Sequence, residues 1–207
     1  MNSFNFRTQD NFLRNSFECG GKWEIPIVKK NDIKLDDVDL ISYTDIKTND
    51  SQGNRWKGVH FFIDDYRFEG IFNYPSRSLA RLSQYEFLLT PDFSLYADMP
   101  LALQMSNLFK NRWCGAYWQR QGLKVIPTIS WGLRQSFGFC FDGIEPGGIV
   151  SVGMIGCKSS RSKFLAGYNE MMERISPTTV ICFGKPFVEM MGNLIVVDYL
   201  ISRMEVH

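Results

Sequence analysis

Four aspartates stand directly behind two apolar runs. Asp64 and Asp65 follow Val59-His60-Phe61-Phe62-Ile63, and Asp92 and Asp98 follow Glu86-Phe87-Leu88-Leu89-Thr90. Carboxylates that converge on one point hold a hard cation such as Mg²⁺ or Mn²⁺, or act as acid and base. Asp98 also fits as the cap of the helix that follows, and Asp92 as a turn residue. A second group, Gly153, Gly156, Lys158 and Ser159, follows Ile149-Val150-Ser151-Val152 and precedes a helical stripe. Strand, glycine turn, lysine and helix start bring backbone N–H groups and a cation together, which suits a phosphate. The spacing departs from the nucleotide-binding P-loop, because Cys157 stands where the last glycine should precede lysine. An ordinary strand-to-helix turn is the competing account.

Ser94 and Tyr96 share the loop of Asp92 and join the candidate ligand-binding set. Gln104, Asn107 and Asn111 fall on one helix face at three- and seven-residue offsets. Amides so placed read a base or a sugar, or simply form a solvated face. Trp131 and the Phe139-Cys140-Phe141-Asp142 cluster stack a planar ligand or fill the core. Cys140 and Cys157 would each need a base to act as nucleophiles, and the one internal histidine, His60, reads as a core residue.

The elements that must position these groups are short. Apolar runs of four to six residues without clean alternation suit strands buried on both faces, as in a parallel sheet. They occur at 59–63, 86–90, 125–130, 149–152, 179–183 and 194–197, with Pro127 a blemish in the third. Apolar residues at three- and four-residue spacing predict a helix from Leu101 past Tyr117, ended by Gly122, and another over 164–175, ended by Pro177. A weaker helix is expected over 76–83. The pattern predicts an α/β fold: a mainly parallel sheet of five or six strands with crossover helices. In such a sheet, open or closed into a barrel, ligands bind at the carboxyl ends of the strands, where the polar residues above fall. Residues 1–57 read as a polar N-terminal arm flanking the domain, with 45–57 a mobile loop, and 58–207 as the α/β domain, one domain overall.

Composition narrows the function classes. The chain has 207 residues, and 23 basic against 22 acidic groups leave a net charge of +1. That balance argues against a nucleic-acid binder that works by counterion release, and no helix-turn-helix or zinc-finger pattern occurs. No run of 18 apolar residues predicts a membrane span. The N-terminus lacks a signal-peptide pattern, so a cytoplasmic protein is expected. Five cysteines without a C-x-x-C pair read as reduced thiols, and two histidines make a zinc site a poor fit.

Several segments carry a resemblance: Gly21-Lys-Trp-Glu-Ile-Pro26, Val59-His-Phe-Phe-Ile-Asp-Asp-Tyr66, Thr90-Pro-Asp-Phe-Ser-Leu-Tyr-Ala-Asp-Met-Pro100, Phe139-Cys-Phe-Asp-Gly-Ile144 and Val152-Gly-Met-Ile-Gly-Cys-Lys158. From about Gly21 to Gly184 the chain resembles the family called domain of unknown function 4417, found in bacteria, their phages and mobile elements. Where similar sequences have Thr-His after the glycine, this chain has Met154-Ile155. The resemblance implies an accessory role and brings no mechanism with it. Two functions are therefore expected in competition. One is binding, or hydrolysis, of a nucleotide-like or phosphorylated small molecule at the aspartate and glycine groups. The other is a non-enzymatic interaction protein that binds a host or phage macromolecule.

Overall fold

Apolar runs bounded by Gly, Pro and Asp become strands because both of their faces find cover. The computed structural model of the chain, which describes residues 3–4, 14, 16–35 and 37–198, shows how. A small antiparallel ribbon pairs β1 (Cys19–Gly20) with β2 (Ile25–Pro26). Then β3 (Leu40–Ser42), β4 (Gly58–His60), β5 (Phe87–Leu89) and β6 (Val125–Ile126) form a four-stranded parallel sheet. A three-stranded parallel sheet follows, made of β7 (Ile149–Gly153), β8 (Thr179–Phe183) and β9 (Leu194–Val197).

The two sheets meet along a seam just past β6. Ser151 N–H donates to the Pro127 carbonyl at 2.9 Å, Ile129 N–H donates to the Ser151 carbonyl at 2.8 Å, and Thr128 pairs with Ser151 as a parallel bridge. Pro127 thus sits where only its carbonyl is asked for, so its missing N–H costs nothing. Strand order across both sheets follows chain order, and every neighbouring pair is parallel, so each connection is a crossover.

The sheet is strongly curled. The ring of His60 on β4 lies 4.5 Å from that of Phe183 on β8. Those strands stand four places apart, which a flat sheet would space at about 19 Å, given about 4.8 Å per strand. Contact between them requires the sheet to roll until its inner faces meet. Leu40, Phe87, Leu89, Ile126, Ile181 and Phe183 fill that interior. The alternate residues Val59, Leu88, Val125, Val150, Val180 and Cys182 point outward. This is why the runs carry no alternation: one set packs within the curl and the other against helices.

The short helices are α1 (Gln52–Arg55), α2 (Gly70–Asn73) and α3 (Leu79–Leu82). Two long ones supply most of the cover, α4 (Leu101–Arg120) and α5 (Arg161–Ile175). Trp113, Tyr117 and Trp118 of α4 pack on Val59, Phe61 and Leu88. Phe164, Tyr168, Met171 and Ile175 of α5 pack on Val150, Val152 and Val180. Gly122 takes φ +82° just past α4, as its predicted end requires.

Several expectations need correction. Among the described residues the parallel strands number four plus three, where five or six were expected; the six apolar runs each hold one, and β3 is the addition. Because β3 pairs with β4, the sheet begins inside the segment read as an arm. The stretch read as a mobile loop contains α1 and a buried Asp50. Asp50 accepts hydrogen bonds from Ser51 N–H at 2.7 Å and Asn54 at 2.9 Å, and another from Tyr85. The expected helix over 76–83 is broken into a 3₁₀ turn, Pro75–Arg77, and α3. Most of the first fifteen residues of the arm lie outside the described residues.

Candidate functional site

A cavity of about 810 Å³ opens at the carboxyl ends of the strands. Its wall takes Ser42 from the end of β3, His60 from β4, Asp92 and Ser94 from beyond β5, and Ser130 and Trp131 from beyond β6. Gly153 of β7 and Phe183 of β8 complete the arc. That volume lies within the roughly 300–1,000 Å³ of small-molecule sites. The curl creates it: the strands converge on packed rings below, and their loops splay above.

Asp92 is the group most altered by its place. Its carboxyl is raised to about 7, by burial first and by the charge of Asp65 second, against a hydrogen bond with Ser130 and the Arg112 guanidinium, which lower it. Asp65 does not line the cavity; it stands behind, accepting hydrogen bonds from Ser94. Arg112, wholly buried on α4, donates to the carbonyls of Asp142 and Cys140 at 3.1 Å each, to that of Thr128 at 2.9 Å and to Asn111 Oδ1 at 2.6 Å. Burial lowers this guanidinium to about 10, still a cation near neutrality.

His60 was expected in the core, and it is buried, but its ring also forms part of the cavity wall. Burial pushes it down to about 3, so the ring is neutral. Its Nδ1 accepts the Phe62 N–H at 3.2 Å, which leaves the proton on Nε2. The ring lies against Phe62 and Phe183. Trp131 stands on the opposite arc, its ring 5.0 Å from Phe164, and it packs directly on Gly167 of α5.

Of the expected site residues, Asp64, Asp92, Ser94, Tyr96, Trp131 and Gly153 line the cavity together. Asp98 is exposed and outside the lining, and it does not cap α4 either: Pro100 holds the cap position with no side-chain bond. Gln104, buried, and Asn107, half-buried, both lie outside the cavity lining. Gln104 Nε2 donates to the carbonyls of Tyr96 at 3.1 Å and Met99 at 2.8 Å, and Asn107 Nδ2 to that of Ser94 at 2.8 Å. Asn111 Nδ2 adds the Pro91 carbonyl at 2.8 Å, so this amide face clamps the 91–99 loop from behind. Gly156, at φ +75°, turns the chain out of β7, and Lys158 and Ser159 are exposed, outside the lining. The anion cradle expected there keeps only Gly153 at the cavity. Cys157 does line it, but burial pushes the thiol up to about 11, which leaves little thiolate.

Ser42, Thr44, Asp45, Arg67, Ser130 and Phe164 line the cavity without having been singled out. Thr44 and Asp45 gave no signal because β3 itself was not legible, and Ser130 fell at the end of an apolar run that the observed strand, Val125–Ile126, leaves four residues earlier. Among the described residues no three His, Cys, Asp or Glu side chains are grouped to hold a metal ion. Nor is any helix there long and apolar enough to cross a membrane.

Curled parallel sheet, covering helices and a cavity at the carboxyl ends of the strands define an α/β protein. A family model described as Domain of unknown function (DUF4417) matches residues 17–200, and the chain belongs to that family. It is 39% identical over 176 residues to the Gene 1 protein of Mycobacterium phage L5, a match covering 84% of this chain and 76% of that protein. It is 45% identical over 130 residues to the Gene 1 protein of Mycobacterium phage D29, covering 61% of this chain and 48% of that protein. The family is thus associated with phages. No solved structure matches the chain.

Proposed function

We propose that the protein binds a nucleotide-like small molecule in the cavity and that Asp92 exchanges a proton with it. The observation that carries this reading is Asp92 itself: a carboxyl on the wall of a ligand-sized cavity, held near neutrality by burial and by Asp65. A group so poised serves as base when ionised and as donor when protonated. Trp131 and Phe164 supply flat apolar wall for a ring, and Ser94 and Ser130 supply hydroxyls for its polar edge. Hydrolysis of the bound molecule would use the ionised Asp92 to take a proton from water. A thermal-shift panel of nucleosides, nucleotides and sugar phosphates, with and without Mg²⁺ or Mn²⁺, tests the reading. A ligand at a hundred times its Kd stabilises by about 2.7 kcal/mol, and Asp92→Asn should diminish that shift. A panel that leaves the melting temperature unmoved throughout would sink it.

The second reading, docking on a host or phage macromolecule, draws on Val188 and Met191, 89% and 74% exposed between β8 and β9. It predicts a partner whose capture is lost when both are changed to serine.

A further inference from the structure

We propose that the cavity takes its ligand as an uncharged nucleoside or nucleobase and discriminates against the phosphorylated form. This rests on the reading above and names the substrate class for the same site. Three observations carry it, and the first is the charge of the wall. Asp45, Asp64 and Asp92 line the cavity, and the one guanidinium among its lining residues is that of Arg67. Arg67 is already engaged, with Nε 3.7 Å from Asp64 Oδ2 and its guanidinium 5.4 Å from the centre of the Tyr66 ring. Arg112 offsets part of the charge of Asp92 from behind, but four of its five N–H donors go to three carbonyls and Asn111, and it is not among the residues that line the cavity. Lys158 lies outside the lining. A phosphate monoester would bring further negative charge towards carboxylates, and among the described lining residues the one cation to receive it is Arg67, which already stands beside Asp64.

The second observation is His60. Only 4% exposed, it lines the cavity with Nδ1 occupied by the Phe62 N–H. Its Nε2–H has no acceptor among the described residues, and in the cavity wall it stands open to water or to an acceptor on a ligand. The third is that this donor and the carboxylate acceptors share the cavity lining with the aromatic rings of Trp131 and Phe164. A nucleobase edge carries both an acceptor, for His60 Nε2–H, and N–H donors, for Asp92. The sugar hydroxyls donate to Asp45 or Asp64 and exchange hydrogen bonds with Ser42 and Thr44, whose hydroxyls are 2.8 Å apart. The flat ring takes the apolar wall of Trp131 and Phe164.

The test is calorimetric titration of the full chain with adenosine, guanosine, cytidine and uridine and with their 5′-monophosphates, at pH 8 and low salt. We expect at least one nucleoside to bind about tenfold or more tightly than its own monophosphate, a difference of about 1.4 kcal/mol. Asp45→Asn with Asp64→Asn should narrow the gap by improving the monophosphate, a gain of function that a damaged fold cannot mimic. His60→Phe, which keeps the ring packing, should weaken the nucleoside while the melting temperature reports the fold. A monophosphate that binds as tightly as its nucleoside overturns the discrimination and leaves the cavity reading standing. Failure of both forms to bind overturns both.

Discussion

Asp65 accepts two hydrogen bonds from Ser94, one from the backbone N–H at 3.0 Å and one from Oγ at 2.8 Å. The turn after β4 is thereby tied to the loop after β5, and a carboxylate is fixed behind Asp92. The tie and the charge work together: the loop that carries Asp92 is held by the group that disfavours its ionisation.

Replacing Asp65 by Asn separates the two roles. The amide oxygen can still accept from the Ser94 N–H, and the NH2 can donate to Ser94 Oγ where the carboxylate accepted from it, while the charge is gone. The Asp92 carboxyl should therefore titrate lower than in the parent, as followed by carbon NMR of labelled aspartate. Stability should fall by about 1 kcal/mol as charge-assisted bonds become neutral ones. An Asp92 titration that does not move would assign its whole shift to burial.

Two groups, the buried His60 and the half-buried Asp92, oppose each other in pH dependence. Folding moves His60 from 6.5 down to about 3, so its contribution is present above 6.5 and is lost as pH falls. Folding moves Asp92 from 3.8 up to about 7, so its contribution is present below 3.8 and is lost as pH rises to 7. Between these limits the unfolded chain holds its proton on His60 and the folded chain on Asp92, so the pair leaves stability flat. Asp92→Asn should remove one side of that balance. Urea unfolding of the variant should show stability rising from pH 4 to 6.5 by up to about 1.4 kcal/mol per unit. At pH 8 the variant should exceed the parent by roughly 2 kcal/mol or more. Parallel profiles for parent and variant would mean that Asp92 titrates as an ordinary carboxylate.

Arg112 is the buried cation that joins α4 to the segments after β6 and around Asp142. Arg112→Met would leave the carbonyls of Thr128, Cys140 and Asp142 without this donor, at a cost of about 3 kcal/mol or more. Arg112→Lys keeps the charge but loses the planar fork, and should fall between. Because the guanidinium lowers the Asp92 carboxyl, Asp92 should titrate higher in the Met variant than in the Lys one. Denaturation midpoints and the same NMR titration read both effects.

Trp131 rests on Gly167, where an added methyl would overlap the indole. Alanine is favoured over glycine inside a helix by about 1 kcal/mol, so propensity alone predicts a more stable α5. Packing predicts the reverse: the indole is pushed towards the cavity, stability falls by about 1–3 kcal/mol, and ligand affinity falls with it. Fluorescence compared in Trp131→Phe and parent backgrounds isolates the indole. A stabilised Gly167→Ala with unchanged emission would show that Trp131 has room to move.

The sequence by itself determined the fold class, six of the seven parallel strands found among the described residues, and both long helices. Those features follow from local burial and turn chemistry, which apolar runs and Gly, Pro and Asp at their ends record directly. Strand β3 escaped notice because Leu40-Ile41-Ser42 is three residues long and sits among polar neighbours, its strand state supplied by pairing with β4. Only the tertiary structure decided which groups share the cavity. The curl brings His60 against Phe183, 123 positions along the chain by their numbers, and no local pattern encodes that approach. The amides of Gln104, Asn107 and Asn111 have the spacing of a solvated face, yet the 91–99 loop folds over them and accepts their protons. Lys158 has the spacing of an anion site, yet Gly156 turns the chain so that it lies outside the cavity. Residue types set what each group can do; which partner it meets depends on packing between segments far apart in the chain.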